Sequence, residues 1–511
     1  MTLMDRRAFL NRGAAFAGAG LFSAGAVETL TNRRALATSG RWSRNPYGPL
    51  HPVRDRATGR EILALPRGFE YVTFGSIGSK MSDGNLTPLA LDGMAAFPHP
   101  TDRRLVRLIR NHEDRNAQGA GSNPARPEEA DEVYDPTAGG GTSTLDFDPR
   151  RGRLVQDFIS LKGTIVNCAG GYAYGYAGWI TGEETVSTFG ERHGYAFFVP
   201  VSRGPHDSVG GEPIVPMGRF AHEAVATDQR TGIVYQTDDP GTGVGAGFYR
   251  YIPRSRRNLF RGGRLQMLGI RRRPQADLRE RQTTGADLPV TWFDIEDVDP
   301  AVADNREPTS VYAQGYAQGG AKFNRLEGCW WDGKRSIYFA STSGGDAKNG
   351  DVNADGYAEG YGQIWRYRAS DGWDHGHNGR NGDGGHDGGE LTLIYESDGA
   401  EALDSPDNLC VTPRGGLILC EDDASSDSDL NRNAPGISDV NRLIGFGRDG
   451  GVFEFAVNRL NDSELAGATF SPDGTTLFVN ILGDTAGTVD PYAGNEGMTI
   501  AISGPWHKGP L

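Results

Sequence analysis

Apolar positions along this chain come in short runs, broken every few residues by Gly, Pro, Asp or Asn, and one arrangement of them recurs. An acidic or amide residue leads into a short apolar strand. A tight turn, a second apolar strand and another oxygen-bearing residue follow. Copies run from Gly93 to Glu113, in irregular form from Gly163 to Thr185, then Glu223 to Asp239, Glu327 to Thr342, Asp407 to Asp422 and Glu464 to Asn480. The turns at Asp228–Gly232, Trp331–Lys334 and Ser471–Gly474 carry hairpin chemistry, since Gly and Asp accept turn conformations that most residues resist. Few windows hold apolar residues at helical spacing for three turns.

Further strands are predicted outside the hairpins. They are Ser143 to Phe147 with Leu154 to Ser160, Gly194 to Val199, Phe248 to Ile252, Gly362 to Tyr367 with Leu391 to Tyr395, and Leu443 to Gly447 with Gly451 to Ala456. Hairpins of one pattern, each completed by outer strands, predict an all-β fold: a six-bladed β-propeller with long loop insertions and a central channel. A pair of β-sandwiches with polar strand ends is the competing architecture. If the first strand of each copy is innermost, the acidic ends converge on one mouth of the channel. That gathers Glu113, Glu183, Glu184, Glu223, Glu327 and Asp407 from distant parts of the chain.

Composition agrees with the strand reading. Gly is 74 of 511 residues and hydrophobic residues only 37%, which marks a turn-rich chain of short strands. Residues 1–37 stand apart. Arg6 and Arg7 precede a weakly apolar Gly/Ala run, and Ala35-Leu36-Ala37 gives a small-residue cleavage pattern, which predicts a twin-arginine export signal. The remainder, 38–511, reads as one propeller domain with no membrane span, exported to the periplasm or beyond. A net charge of −14 argues against a nucleic-acid partner and suits cation binding.

The stretch Gly163–Thr185 places Cys168 in a Gly-rich turn and Glu183-Glu184 at the end of an apolar run. Buried carboxylates need partners, and hard cations want carboxylate oxygens. A nearby thiolate adds transition-metal character; a small buried cysteine beside a solvated strand end is the plain alternative. Cys410 and Cys420 flank a tight turn and could pair, although a chain folded in a reducing compartment has less need of disulfides. Asp351–Gly356 matches the start of a calcium loop but lacks the closing acid, since Gly362 sits there. His375–Gly389 is low-complexity.

Several stretches together resemble the PhoX-type alkaline phosphatases: Arg110–Glu113, Asn167–Gly171, Thr181–Thr185, Gly218–Glu223, Arg325–Glu327, Gly362–Trp365, Ser405–Asn408, and Phe470–Gly474 leading to Ser503–Trp506. The resemblance implies a propeller exported by the twin-arginine machinery, with an iron and calcium cluster in the channel joined by an oxo group and a bridging cysteine. It implies that Cys168 is the iron-bridging thiolate and that Glu183, Glu184, Glu223, Glu327, Asp407 and Glu113 are metal ligands. It also implies that Arg325 grips the phosphate of a small phosphoester substrate. Where the family carries Thr-Pro-Trp-Gly, this chain has Ala173-Tyr174-Gly175-Tyr176. Where the family has a Cys before the paired glutamates, it has Gly182. Both departures predict an altered wall beside the thiolate. A calcium-dependent lactonase, or a calcium-binding propeller without catalysis, would use the carboxylates without needing Cys168.

Overall fold

The computed structural model describes residues 43–115, 121–241, 243, 245–370, 388–423, 430–447, 450–483, 485 and 496–511. The predicted export signal and most of the His-rich tract lie outside them. No described helix is long and apolar enough to cross a membrane.

Each predicted copy of the repeat is an antiparallel hairpin. The first strands are Leu91–Pro98, Asn167–Tyr172, His222–Thr227, Leu326–Trp331, Pro406–Val411 and Leu465–Phe470. They neighbour one another in that order and the last packs against the first, so they form a closed ring. Further antiparallel strands step outward from each hairpin. Second strands such as Ser336–Ser341, Leu417–Glu421 and Thr476–Ile481 are buried throughout. A strand covered on both faces carries a continuous apolar run, which is why these segments read clearly in the sequence.

An early strand and the last strand pair in one sheet. Glu70–Phe74 is its outermost strand, with Phe74 opposite Thr499 of Met498–Ser503. Leu50–Val53 and Leu63–Pro66 extend the preceding sheet beyond Val452–Asn458. Two strands, Gly263–Ile270 and Asp287–Asp294, lie outside those predicted from the sequence. Asp287–Asp294 pairs with Glu390–Glu396 and joins two neighbouring groups into a nine-stranded sheet.

All four cysteines are buried free thiols. Cys410 lies opposite Ile418 and Cys420 opposite Leu443, so the hairpin does not bring the two together as partners. In the partial calcium-loop motif, Asp355 is held by Arg279 at 2.8 Å and Lys322 at 3.3 Å.

Two backbone devices recur where the first strands begin. In five of them the pairing register slips across the second and third residues: Asp92-Gly93, Cys168-Ala169, Glu223-Ala224, Glu327-Gly328 and Asp407-Asn408. A bulge of this kind re-aims a side chain. Two residues before four of these positions, a non-glycine residue takes left-handed backbone: Ala90 (φ 53°), Val166 (φ 50°), Arg325 (φ 43°) and Ser405 (φ 43°). Such conformations are costly and persist where the surroundings impose them. In four of the five the residue after the re-aimed one is Gly or Ala, and at the two glycines the reason is steric. A Cβ on Gly93 would sit 2.6 Å from the Ala169 Cα, and one on Gly328 would sit 2.6 Å from the Leu409 nitrogen.

Candidate metal centre

The second residues of the five bulged strands are Asp92, Cys168, Glu223, Glu327 and Asp407. The residues that immediately follow the second strands of four hairpins are Glu113, Glu184, Asp239 and Asp422. Hairpin pairing places both sets at one end of the ring. With Glu464 added and Asp239 left out, their ligand atoms fall into four overlapping groups, each within 4.8 Å: Asp92, Glu113 and Cys168; Cys168, Glu184 and Glu223; Glu223, Glu327 and Asp407; Asp407, Asp422 and Glu464. Consecutive groups share Cys168, Glu223 and Asp407, so the four form one continuous chain of donors.

Of the predicted site residues, Cys168, Glu184, Glu223, Glu327, Asp407 and Glu113 therefore come together. Glu183 does not. Its Oε1 lies 2.7 Å from His193 Nδ1 and accepts from the Ile165 amide, and its Oε2 accepts from the Gly194 and Tyr195 amides at 2.9 and 3.1 Å. His193 also contacts Asp135 at 3.2 Å. The reason is strand alternation. Glu183 is paired with Asn167 inside the sheet, and Glu184, one residue on, turns to the opposite side.

Sequence reading missed Asp92, Asp239, Asp422 and Glu464. Asp92 had a usable signal, because a potential ligand stands second in five of the six first strands, and in four of them Gly or Ala follows it. Starting the first copy at Gly93 cut that residue off.

The electrostatics are those of a site built for cations. Burial pushes the carboxyls of Asp92, Glu184, Glu223, Glu327 and Glu464 well above the carboxylate range, and neighbouring acids push further. Asp407 is raised to about 7, first by burial and then by Asp422. Burial and the fields of Asp92 and Glu223 lift the Cys168 thiol well above its usual value. Neither oxygen of Asp92 or of Glu223 has a hydrogen-bond partner among the described residues, although the weakly donating Cys168 thiol lies within 4.8 Å of both. Buried acids left this way are costly unless a cation completes them. A connected row of carboxylates around one thiol fits hard, oxygen-seeking cations together with a softer one.

Two guanidinium groups face this acid. The Arg325 Nη2 lies 2.8 Å from Asp239 Oδ2 and 3.3 Å from Glu327 Oε1. Burial acts to raise the Asp239 carboxyl, but Arg325 outweighs it and the net shift is downward. Arg325 precedes the strand Leu326–Trp331 and is left-handed, so strand alternation is not what aims it. Arg115 contacts Glu113 and lies 2.9 Å from Glu184.

The histidines beside these acids are tied elsewhere. His112 contacts Leu89 O and Ser143 Oγ, and His222 donates to Gly218 O at 3.0 Å. One departure from the family pattern lies away from the thiol along its own strand. Cys168 opens its strand, while Tyr174–Tyr176 form a turn beyond the strand's far end. At Gly182, a Cβ would meet the His222 oxygen at 2.8 Å, so the backbone there excludes a side chain.

The family model described as alkaline phosphatase PhoX matches residues 45–484. Among solved structures, Pseudomonas fluorescens PhoX in complex with vanadate, a transition-state analogue, is 18% identical with a TM-score of 0.61. The match covers 90% of this chain and 99% of that one. XC5397 from Xanthomonas campestris, a gluconolactonase, is 11% identical with a TM-score of 0.38, over 90% and 98% of the two chains. No curated protein sequence matches the chain.

Proposed function

The chain belongs to the alkaline phosphatase PhoX family, and is thereby a phosphatase; from that premise we propose that it hydrolyses small phosphate monoesters at the acid-lined mouth of a six-bladed propeller. The six ring strands and their outward meanders are the blades of this reading. We read the site as an iron and calcium cluster, with Cys168 as the soft ligand to iron and Glu113, Glu184, Glu223, Glu327 and Asp407 among the oxygen ligands. Asp92, Asp422 and Glu464 join the set from the geometry.

One observation carries the reading. Eight carboxyls and a thiol lie in one connected group, and the guanidinium groups of Arg115 and Arg325 are too few to balance them. Phosphoryl transfer asks for positioning and charge neutralisation more than covalent work. When bound, such cations supply Lewis acidity and an activated water-derived nucleophile. The chain's own part is to orient. The bulges fix Asp92, Cys168, Glu223, Glu327 and Asp407. Asp239 holds the Arg325 guanidinium, whose planar fork suits phosphate oxygens.

By the same reading, residues 1–37 direct export by the twin-arginine machinery and the mature domain acts in the periplasm or outside the cell. The test is elemental analysis of the purified protein with a p-nitrophenyl phosphate assay. Iron together with calcium, and hydrolysis lost on chelation, are expected. Calcium alone without hydrolysis would refute the cluster.

A further inference from the structure

We propose that Arg115 is a second phosphate-binding residue, which with Arg325 grips the substrate phosphate from two sides of the mouth; this rests on the phosphatase reading above. The two arginines are placed in mirror fashion. Arg115 follows Glu113 by two residues on one wall, and Arg325 precedes Glu327 by two on another. Arg115 Nη2 lies 2.9 Å from Glu184 and Arg325 Nη2 lies 3.3 Å from Glu327, and Glu184 and Glu327 each place a ligand atom within 4.8 Å of one of Glu223. The two guanidinium groups therefore flank the same short row of carboxylates.

The way Arg115 is held leaves it free to bind. Both of its contacts, with Glu113 and with Glu184, run through Nη2. No described residue accepts from its Nε or Nη1. Its side chain is 52% exposed against 26% for Arg325, so it stands at the solvent edge of the mouth. A guanidinium needed only to offset buried acid would sit deeper. Glu113 and Glu184 are themselves in the candidate cation sets. Cations there would draw off their charge and leave the Arg115 donors for an anion. A planar fork on each side recognises a phosphate dianion, a better match than a lone ammonium offers.

The experiment compares wild type, Arg115→Ala and Arg115→Lys, each with its metal content measured. Calorimetry gives inorganic phosphate affinity, and p-nitrophenyl phosphate kinetics give kcat and KM separately. Arg115→Ala should weaken phosphate binding about tenfold to a hundredfold at unchanged metal content, and Arg115→Lys should recover part of it. Two results overturn the inference while wild type still binds and hydrolyses: unchanged phosphate affinity in Arg115→Ala, or loss of metal in it, which would make Arg115 a support for Glu113 and Glu184. Wild type that neither binds phosphate nor hydrolyses the ester overturns the phosphatase reading itself.

Discussion

Glu183 and Glu184 are adjacent in sequence and face opposite ways: Glu184 joins Cys168 and Glu223, while Glu183 turns back to His193 at 2.7 Å. One residue of strand register therefore separates a candidate ligand from a structural group. Glu184→Gln should reduce bound metal and activity with little change in the fold. Glu183→Gln should keep the metal and lose stability by about 1–3 kcal/mol, since it disturbs a buried, hydrogen-bonded charge. Metal content and thermal unfolding of the pair check this. Equal metal loss in both would put Glu183 back among the ligands.

The His193 contact also makes stability depend on pH. Burial acts to lower the His193 pKa, but Glu183 and Asp135 outweigh it and the net shift is upward. A histidine whose folded pKa is raised stabilises fully below its unfolded value, about 6.5. That contribution is lost as pH rises through the folded value. Wild type should thus lose more stability than His193→Gln between about pH 6 and the alkaline range. Parallel slopes in thermal unfolding against pH would remove His193 as the source.

How far the sequence revealed this arrangement depends on what each feature needs. Buried second strands such as Leu417–Glu421 declare themselves through apolar runs. The strand Gly263–Ile270 does not, because Arg264 and Gln266 interrupt it and Arg271–Arg273 follow directly. A ligand position that recurs through the repeat is legible once the copies are aligned, as Glu223, Glu327 and Asp407 show. Which of two neighbouring acids faces the mouth is not legible, since that choice rests on pairing register. Asp239 and Asp422 close their hairpins in plain view, yet their role emerges only when the ring brings distant strands together.

Cys168 is the one soft donor in the connected group. Replacing it by Ala should strip most of the iron and the activity while calcium and the fold persist, because oxygen-rich sites do not require a thiolate. Its buried thiol resists ionisation on its own, so a bound cation is what would hold the thiolate form. Elemental analysis and thermal unfolding of Cys168→Ala read both halves of the expectation. Unchanged iron would return Cys168 to the role of a core residue.

Arg325 decides between binding substrate and bracing the site. Its Nε and Nη2 reach Asp239 at 3.1 and 2.8 Å, and its side chain is 26% exposed. It is thus anchored on one edge and open on another, the geometry of a group braced to meet a ligand. Its left-handed backbone, at φ 43°, shows that the fold tolerates local strain to place it there. Arg325→Ala should lower kcat/KM by about 1.5–3 kcal/mol for each charge-assisted hydrogen bond to phosphate that it removes. The effect falls on kcat as well as KM if that hydrogen bond tightens in the transition state. Arg325→Lys should recover part, because an ammonium lacks the fork. Asp239→Asn separates the roles: it keeps the arginine but loosens its brace, so kcat/KM should fall less than in Arg325→Ala at equal metal content. Full metal with near-normal kcat/KM in Arg325→Ala would end the phosphate-binding role, and metal loss in both Arg325 variants would make Arg325 a support for the carboxylates alone.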